Sequence, residues 1–143
     1  IMGSVAAAIS VPPLGMGLAS ILKPKKYTKA EQEAGKGALV MGLIGITEGA
    51  IPFAAGDPLR VIPSIMGGSA VAAAIAAAGK VADYAPHGGP IVLPVVENQI
   101  MFIIAIVVGT LITALLANLL KKDVVEEINT EIESDDEEII IEM

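Results

Sequence analysis

Apolar residues fill four stretches of this chain with few interruptions: 1–22, 37–56, 61–81 and 100–120. Stretches 37–55 and 100–120 lack polar positions at the helical or strand spacing of a half-buried element, which disfavours a soluble domain. A helix needs about 20 consecutive apolar residues to cross the hydrocarbon core of a bilayer. The pattern therefore predicts an all-α membrane protein, a bundle of transmembrane helices at 1–22, 61–81 and 100–120, with 37–56 as a further apolar element. Small residues, among them Gly3, Ala6, Ala7, Gly15 and Gly17, supply surfaces on which neighbouring helices approach closely. Pro12-Pro13 is expected to kink or interrupt the first helix, because the missing amide hydrogens leave carbonyls that neighbours or water must satisfy.

The polar positions between the stretches set orientation. Lys23, Lys25, Lys26, Lys29 and Lys36 follow the first stretch and Lys121-Lys122 close the last, so the positive-inside rule puts loop 23–36 and tail 121–143 in the cytoplasm. Thr28 and Glu31 have the spacing of a capping box and predict a helix start. With both lysine clusters on one side, the chain between them crosses an even number of times, yet three apolar stretches lie there. Stretch 37–56 is the one expected to form a re-entrant hairpin, returning Asp57 and Arg60 to the cytoplasmic side, because it alone carries a central carboxylate among the breakers Gly45, Gly49 and Pro52. The alternative is that 91–96, between Pro90 and Glu97, dips into the membrane as a short extra segment.

That carboxylate is Glu48. In a membrane segment each Leu, Ile, Phe or Val contributes about −0.3 to −0.6 kcal/mol, and a central charged residue costs about 2.5 to 3.5 kcal/mol. By that measure Glu48 offsets most of what Leu39, Val40, Leu43, Ile44, Ile46, Ile51 and Phe53 supply together. An ionisable group at such a depth marks a site where it faces something polar. The structural counter-reading is an ion pair with Arg60 or Lys80 that stabilises the bundle. Asp57 and Arg60 themselves read as a structural pair, with a role facing a docked partner as the alternative.

Composition changes the picture in three places. The formal net charge of −7 is a property of the tail, where Glu126, Glu127, Glu131, Glu133, Asp135, Asp136, Glu137, Glu138 and Glu142 cluster; 123–143 is expected to be a marginal helix or a disordered cytoplasmic tail. Cysteine is absent, so no thiolate nucleophile is available, and with His87 the one histidine no metal site is expected. No signal-peptide pattern opens the chain, and Ile1 already lies in an apolar run, so the reading frame is expected to begin upstream. His87, in Pro86-His87-Gly88-Gly89, stands either near a substrate path or in an outer loop.

Gly45-Ile46-Thr47-Glu48-Gly49-Ala50-Ile51-Pro52-Phe53-Ala54-Ala55, followed by Asp57-Pro58-Leu59-Arg60-Val61-Ile62-Pro63-Ser64, closely resembles the membrane component, enzyme IIC, of fructose-type phosphoenolpyruvate-dependent phosphotransferase systems. So do Ala85-Pro86-His87-Gly88-Gly89 and Val11-Pro12-Pro13-Leu14-Gly15. The resemblance runs to about Lys121 and covers roughly the distal half of such a membrane domain. It implies a permease of the bacterial or archaeal inner membrane that binds fructose or a related hexose and presents it for phosphorylation by a phosphorylated IIB domain, itself supplied through IIA, HPr and enzyme I. It implies that Glu48 lies at the sugar site, near the tip of the re-entrant segment, with Thr47, Gly45 and Gly49 offering hydrogen bonds and His87 a further substrate-side group. No catalytic residue is expected on this chain alone, since the phosphohistidine and phosphocysteine domains are not in it. Besides lipid and a second copy of the chain in a homodimer, no cofactor and no nucleic acid is expected. Two other readings stay open: an ion- or proton-coupled secondary sugar carrier with Glu48 as its proton site, and an inert truncated piece.

Overall fold

The computed structural model describes residues 2–85 and 89–121. His87 and the tail 123–143 lie outside the described residues, and so do the expectations attached to them. Helix α1 (Met2–Leu22) is not interrupted at Pro12-Pro13. The loop after it holds one 3-10 turn, Pro24–Lys26, before α2 (Lys29–Ile44). The predicted capping box opens α2: the Thr28 hydroxyl accepts from the Glu31 amide at 3.1 Å and the Glu31 carboxylate accepts from the Thr28 amide at 3.0 Å. Gly45, with φ 87°, ends it. The Ile46 amide donates to the Met41 carbonyl at 2.8 Å and the Gly45 amide to the Gly42 carbonyl at 3.1 Å, which satisfies the last carbonyls of the helix in a Schellman arrangement.

A 3-10 turn, Thr47–Ala50, leads directly into the short α3 (Ile51–Gly56), where Pro52 occupies the first turn and forfeits no intrahelical bond. These residues run back along α2. Gly49 abuts Ala38 and Met41, Phe53 lies beside Gly35, and Gly56 beside Glu31, so 29–56 is a helical hairpin whose ends meet at one end of the bundle. Next comes α4 (Pro58–Ala78), which starts ahead of the apolar run at 61. Pro58 sets the backbone of its first turn, and the polar Arg60 on that turn hides the start from an apolar count. Two-residue strands β1 (Ala82–Asp83) and β2 (Val96–Glu97) pair antiparallel around the 3-10 segment Pro90–Val95, with Ala82 opposite Glu97, and α5 (Gln99–Leu120) closes the fold.

The first helix is central, packed on α2, α4 and α5, and α4 packs on α5. Among the described residues three helices, α1, α4 and α5, are long and apolar enough to cross a membrane. Their contacts run through small residues: a side-chain carbon added at Gly109 would come within 2.8 Å of Ala72, of the Gly68 carbonyl and of Val11. Such close approach is how helices associate where lipid removes the hydrophobic drive between them. Large apolar side chains face outward instead, Leu59 at 87% exposure and Leu119 at 79%, as a lipid-facing surface requires. The molecule is the all-α membrane bundle that the apolar pattern predicts.

Candidate functional site

Three of the strings singled out in the sequence meet at the tip of the 29–56 hairpin. Gly45 provides the left-handed residue at which α2 stops. Gly89, also left-handed at φ 90°, brings its backbone against Gly45: a side-chain carbon there would lie 2.6 Å from the Gly45 nitrogen. Its amide donates to the Ala6 carbonyl of α1 at 3.2 Å. Gly49 sits as close to α1 as to α2, since an added carbon would be 3.1 Å from Pro13 and 3.0 Å from Ala38. The proline string of α1, the Gly-Ile-Thr-Glu string and the last glycine of the Pro-His-Gly-Gly string thus surround one point. It lies beside Ile9, about 20 Å along α1 from Leu22 at 1.5 Å per residue.

Glu48 is the second residue of the 3-10 turn that begins at this tip. Its side chain is exposed, and among the described residues it makes no hydrogen bond or ion pair. The pairing with Arg60 or Lys80 that would make it structural is not formed. Its neighbours are anchored: Gly49 and Ala50 are buried, and the Thr47 hydroxyl donates to the Ile9 carbonyl at 3.1 Å. The Thr47 hydroxyl hydrogen is therefore committed, leaving its oxygen to act toward a ligand as an acceptor.

Asp57 and Arg60 are far from this tip in the fold, at the end of the bundle where the hairpin closes. They pair with each other at 3.1 Å, and Lys121 approaches the same Asp57 oxygen at 3.7 Å. Lys26 caps the end of α5 by donating to the carbonyls of Asn118 and Lys121. A polar cavity of about 360 Å³ opens among Lys26, Thr28, Glu31, Asp57, Arg60 and Lys121. Within this cluster Tyr27 is buried and donates to the Asn118 side chain at 3.0 Å, and burial, then Glu31, then Asp57, push its phenol well above its ordinary value. Sequence reasoning missed Tyr27 and Asn118, which no local pattern connects across 91 positions. A second cavity of about 450 Å³, between Leu14, Leu39, Leu43, Leu93, Phe102 and Ile106, is apolar and suits no sugar.

Comparison with known proteins places these residues among relatives. The chain is 55% identical over 106 residues to the fructose-like permease IIC component 2 of Escherichia coli, matching 74% of this chain and 30% of that protein. It is 47% identical over 105 residues to the fructose-specific EIIC component of Haloferax volcanii, covering 73% of this chain and 28% of the relative. Against the fructose-specific EIIABC component of Bacillus subtilis it is 40% identical over 123 residues, covering 86% and 19% respectively. The chain thus spans under a third of the length of each of these three relatives. No family model and no solved structure matches it.

Proposed function

The chain belongs with the membrane (IIC) components of fructose-type sugar phosphotransferase systems, and on that premise we propose that it supplies the sugar-binding hairpin of a hexose permease. In this reading residues 37–56 enter the bilayer of the inner membrane from the cytoplasmic face and return to it, with Glu48 beside the tip. The carboxylate accepts hydrogen bonds from the hydroxyls of fructose or a related hexose and orients the one that will take phosphate. Gly45 and Gly49 place a break in the helical backbone near the same point, as broken helices do in transporters generally. The sugar then swings toward the cytoplasm and takes its phosphoryl group from a IIB domain charged through IIA, HPr and enzyme I. This chain, without cysteine, carries no phosphoryl group of that kind itself. The name of the Bacillus subtilis relative, which joins A, B and C components in one protein, supports such partners. Asp57, Arg60 and Lys121 stand at the end that meets IIB, and two copies of the chain pair in the membrane.

One observation carries the reading: an exposed carboxylate with no partner among the described residues, between two neighbours that are pinned to the bundle. An acid kept for bundle stability would be paired, whereas an unpaired acid in apolar surroundings is tolerable when a polar ligand faces it. The names of the relatives, permease and phosphotransferase components, do not favour the proton-coupled carrier. The test is Glu48→Gln in the natural protein. Phosphoenolpyruvate-dependent uptake of fructose is expected to fall roughly 10- to 100-fold, the loss of hydrogen bonds to a charged group, with the inserted amount unchanged. Uptake at the parental rate would overturn the proposal.

A further inference from the structure

Pro12 and Pro13 have no amide hydrogen, so the carbonyls four residues earlier, of Ala8 and Ile9, lose their helical donors. The structure supplies each with a hydroxyl from a different element. Ser69 of α4 donates to Ala8 at 3.3 Å, and Thr47 of the hairpin tip donates to Ile9 at 3.1 Å. α1 therefore continues through two prolines because other parts of the fold take over their donors, and one of these donors is the residue next to Glu48.

We infer that Thr47 is a positioning residue of the sugar site: by holding the carbonyl that Pro13 frees, it pins the hairpin tip to α1 and sets the place of the Glu48 carboxylate. This rests on the sugar-site reading of Glu48 given above. Geometry supports a positioning role over mere packing. The turn Thr47–Ala50 has no side-chain cap of its own, so its first residue is tied by this bond to α1 and by the left-handed Gly45 to α2. Gly49 on the other side of Glu48 leans on Pro13 itself. The same proline thus frees the acceptor for one neighbour of Glu48 and walls the other. The Ser69 bond, made from α4 to the preceding carbonyl of α1, ties the bundle together through a different element and serves as the control.

The experiment measures fructose affinity and the Ile9 carbonyl in membranes holding the natural protein and its variants. Ile9-Ser10 is the one Ile-Ser pair in this sequence, so labelling isoleucine carbonyl carbon and serine nitrogen yields a single assignable signal from this segment by solid-state NMR. Thr47→Val is expected to shift that signal and to weaken fructose binding roughly three- to tenfold, the worth of one hydrogen bond. Thr47→Ser should restore both, and Ser69→Ala should leave both at parental values. Thr47→Ala carries the same test should Thr47→Val fail to insert. An unmoved Ile9 signal in the Thr47 variant, or a shifted signal with parental affinity, would overturn the inference. Parental binding by Glu48→Gln would instead remove the sugar-site reading, while the Ile9 signal still reports whether the bond exists.

Discussion

Tyr27 shows how much a single loop residue can hold. Its hydroxyl reaches Asn118 on α5, its ring meets Phe53 edge-on at 5.9 Å, and the Lys121 ammonium lies 4.8 Å from the ring centre. Asn118 passes the connection on by donating to the Ala19 carbonyl of α1 at 3.4 Å. Burial and the nearby Glu31 and Asp57 raise the folded phenol pKa above the ordinary 10.0 of the unfolded chain. Above about pH 10 the unfolded state gives up a proton that the folded state keeps, so this group makes stability fall as pH rises. Unfolding in detergent, followed from about pH 9 to about pH 11, should show that alkaline loss in the parent and a flatter profile in Tyr27→Phe. Matching profiles would refute the assignment. None of this was legible in the sequence beyond the presence of lysines at both loops, because the partners of Tyr27 come from helices that meet only in the fold.

At the scale of elements, the ends of helices were the legible part. The Thr28–Glu31 capping box forms as its spacing predicts, and Gly45 breaks the chain where a left-handed residue is needed. A left-handed conformation costs a residue with a side chain about 1–2 kcal/mol, and asparagine tolerates it best. Gly45→Ala should therefore lower the thermal midpoint of the protein in detergent, and Gly45→Asn should retain most of it. On the sugar-site reading proposed above, fructose uptake should fall in the same order. The start of α4 was less legible, since helical geometry begins with Pro58 while apolar character begins later, and insertion scales see the second only. A hairpin was expected from the breakers. That its second arm runs back beside α2, with Gly56 against Glu31, is a matter of contacts.

For the whole molecule the decisive layer is the contact among α1, α4 and α5. A side-chain carbon at Gly68 would collide with Thr113 and come within 2.5 Å of the Gly109 carbonyl, backbone that cannot swing aside. One at Gly67 would meet the end of Leu116 at 3.1 Å, a side chain that can. Gly68→Ala is expected to cost about 1–3 kcal/mol of stability, as overpacking does, while Gly67→Ala stays neutral or gains about 0.5–1 kcal/mol from helix propensity. Unfolding of the two variants in one detergent decides it, and equal behaviour would mean that the helices separate freely. The sequence by itself determined the number of apolar helices, the caps and breakers that delimit the hairpin, and the oddity of one acid in the apolar stretch 37–56, because bilayer thickness and backbone hydrogen bonding act on neighbouring residues. Only the tertiary structure decided which hydroxyls claim the carbonyls freed at Pro12-Pro13, and which glycines touch. These helices are apolar on nearly all sides, so no polar face records their rotation, and that rotation is settled only when small residues and stranded carbonyls find their partners across the bundle.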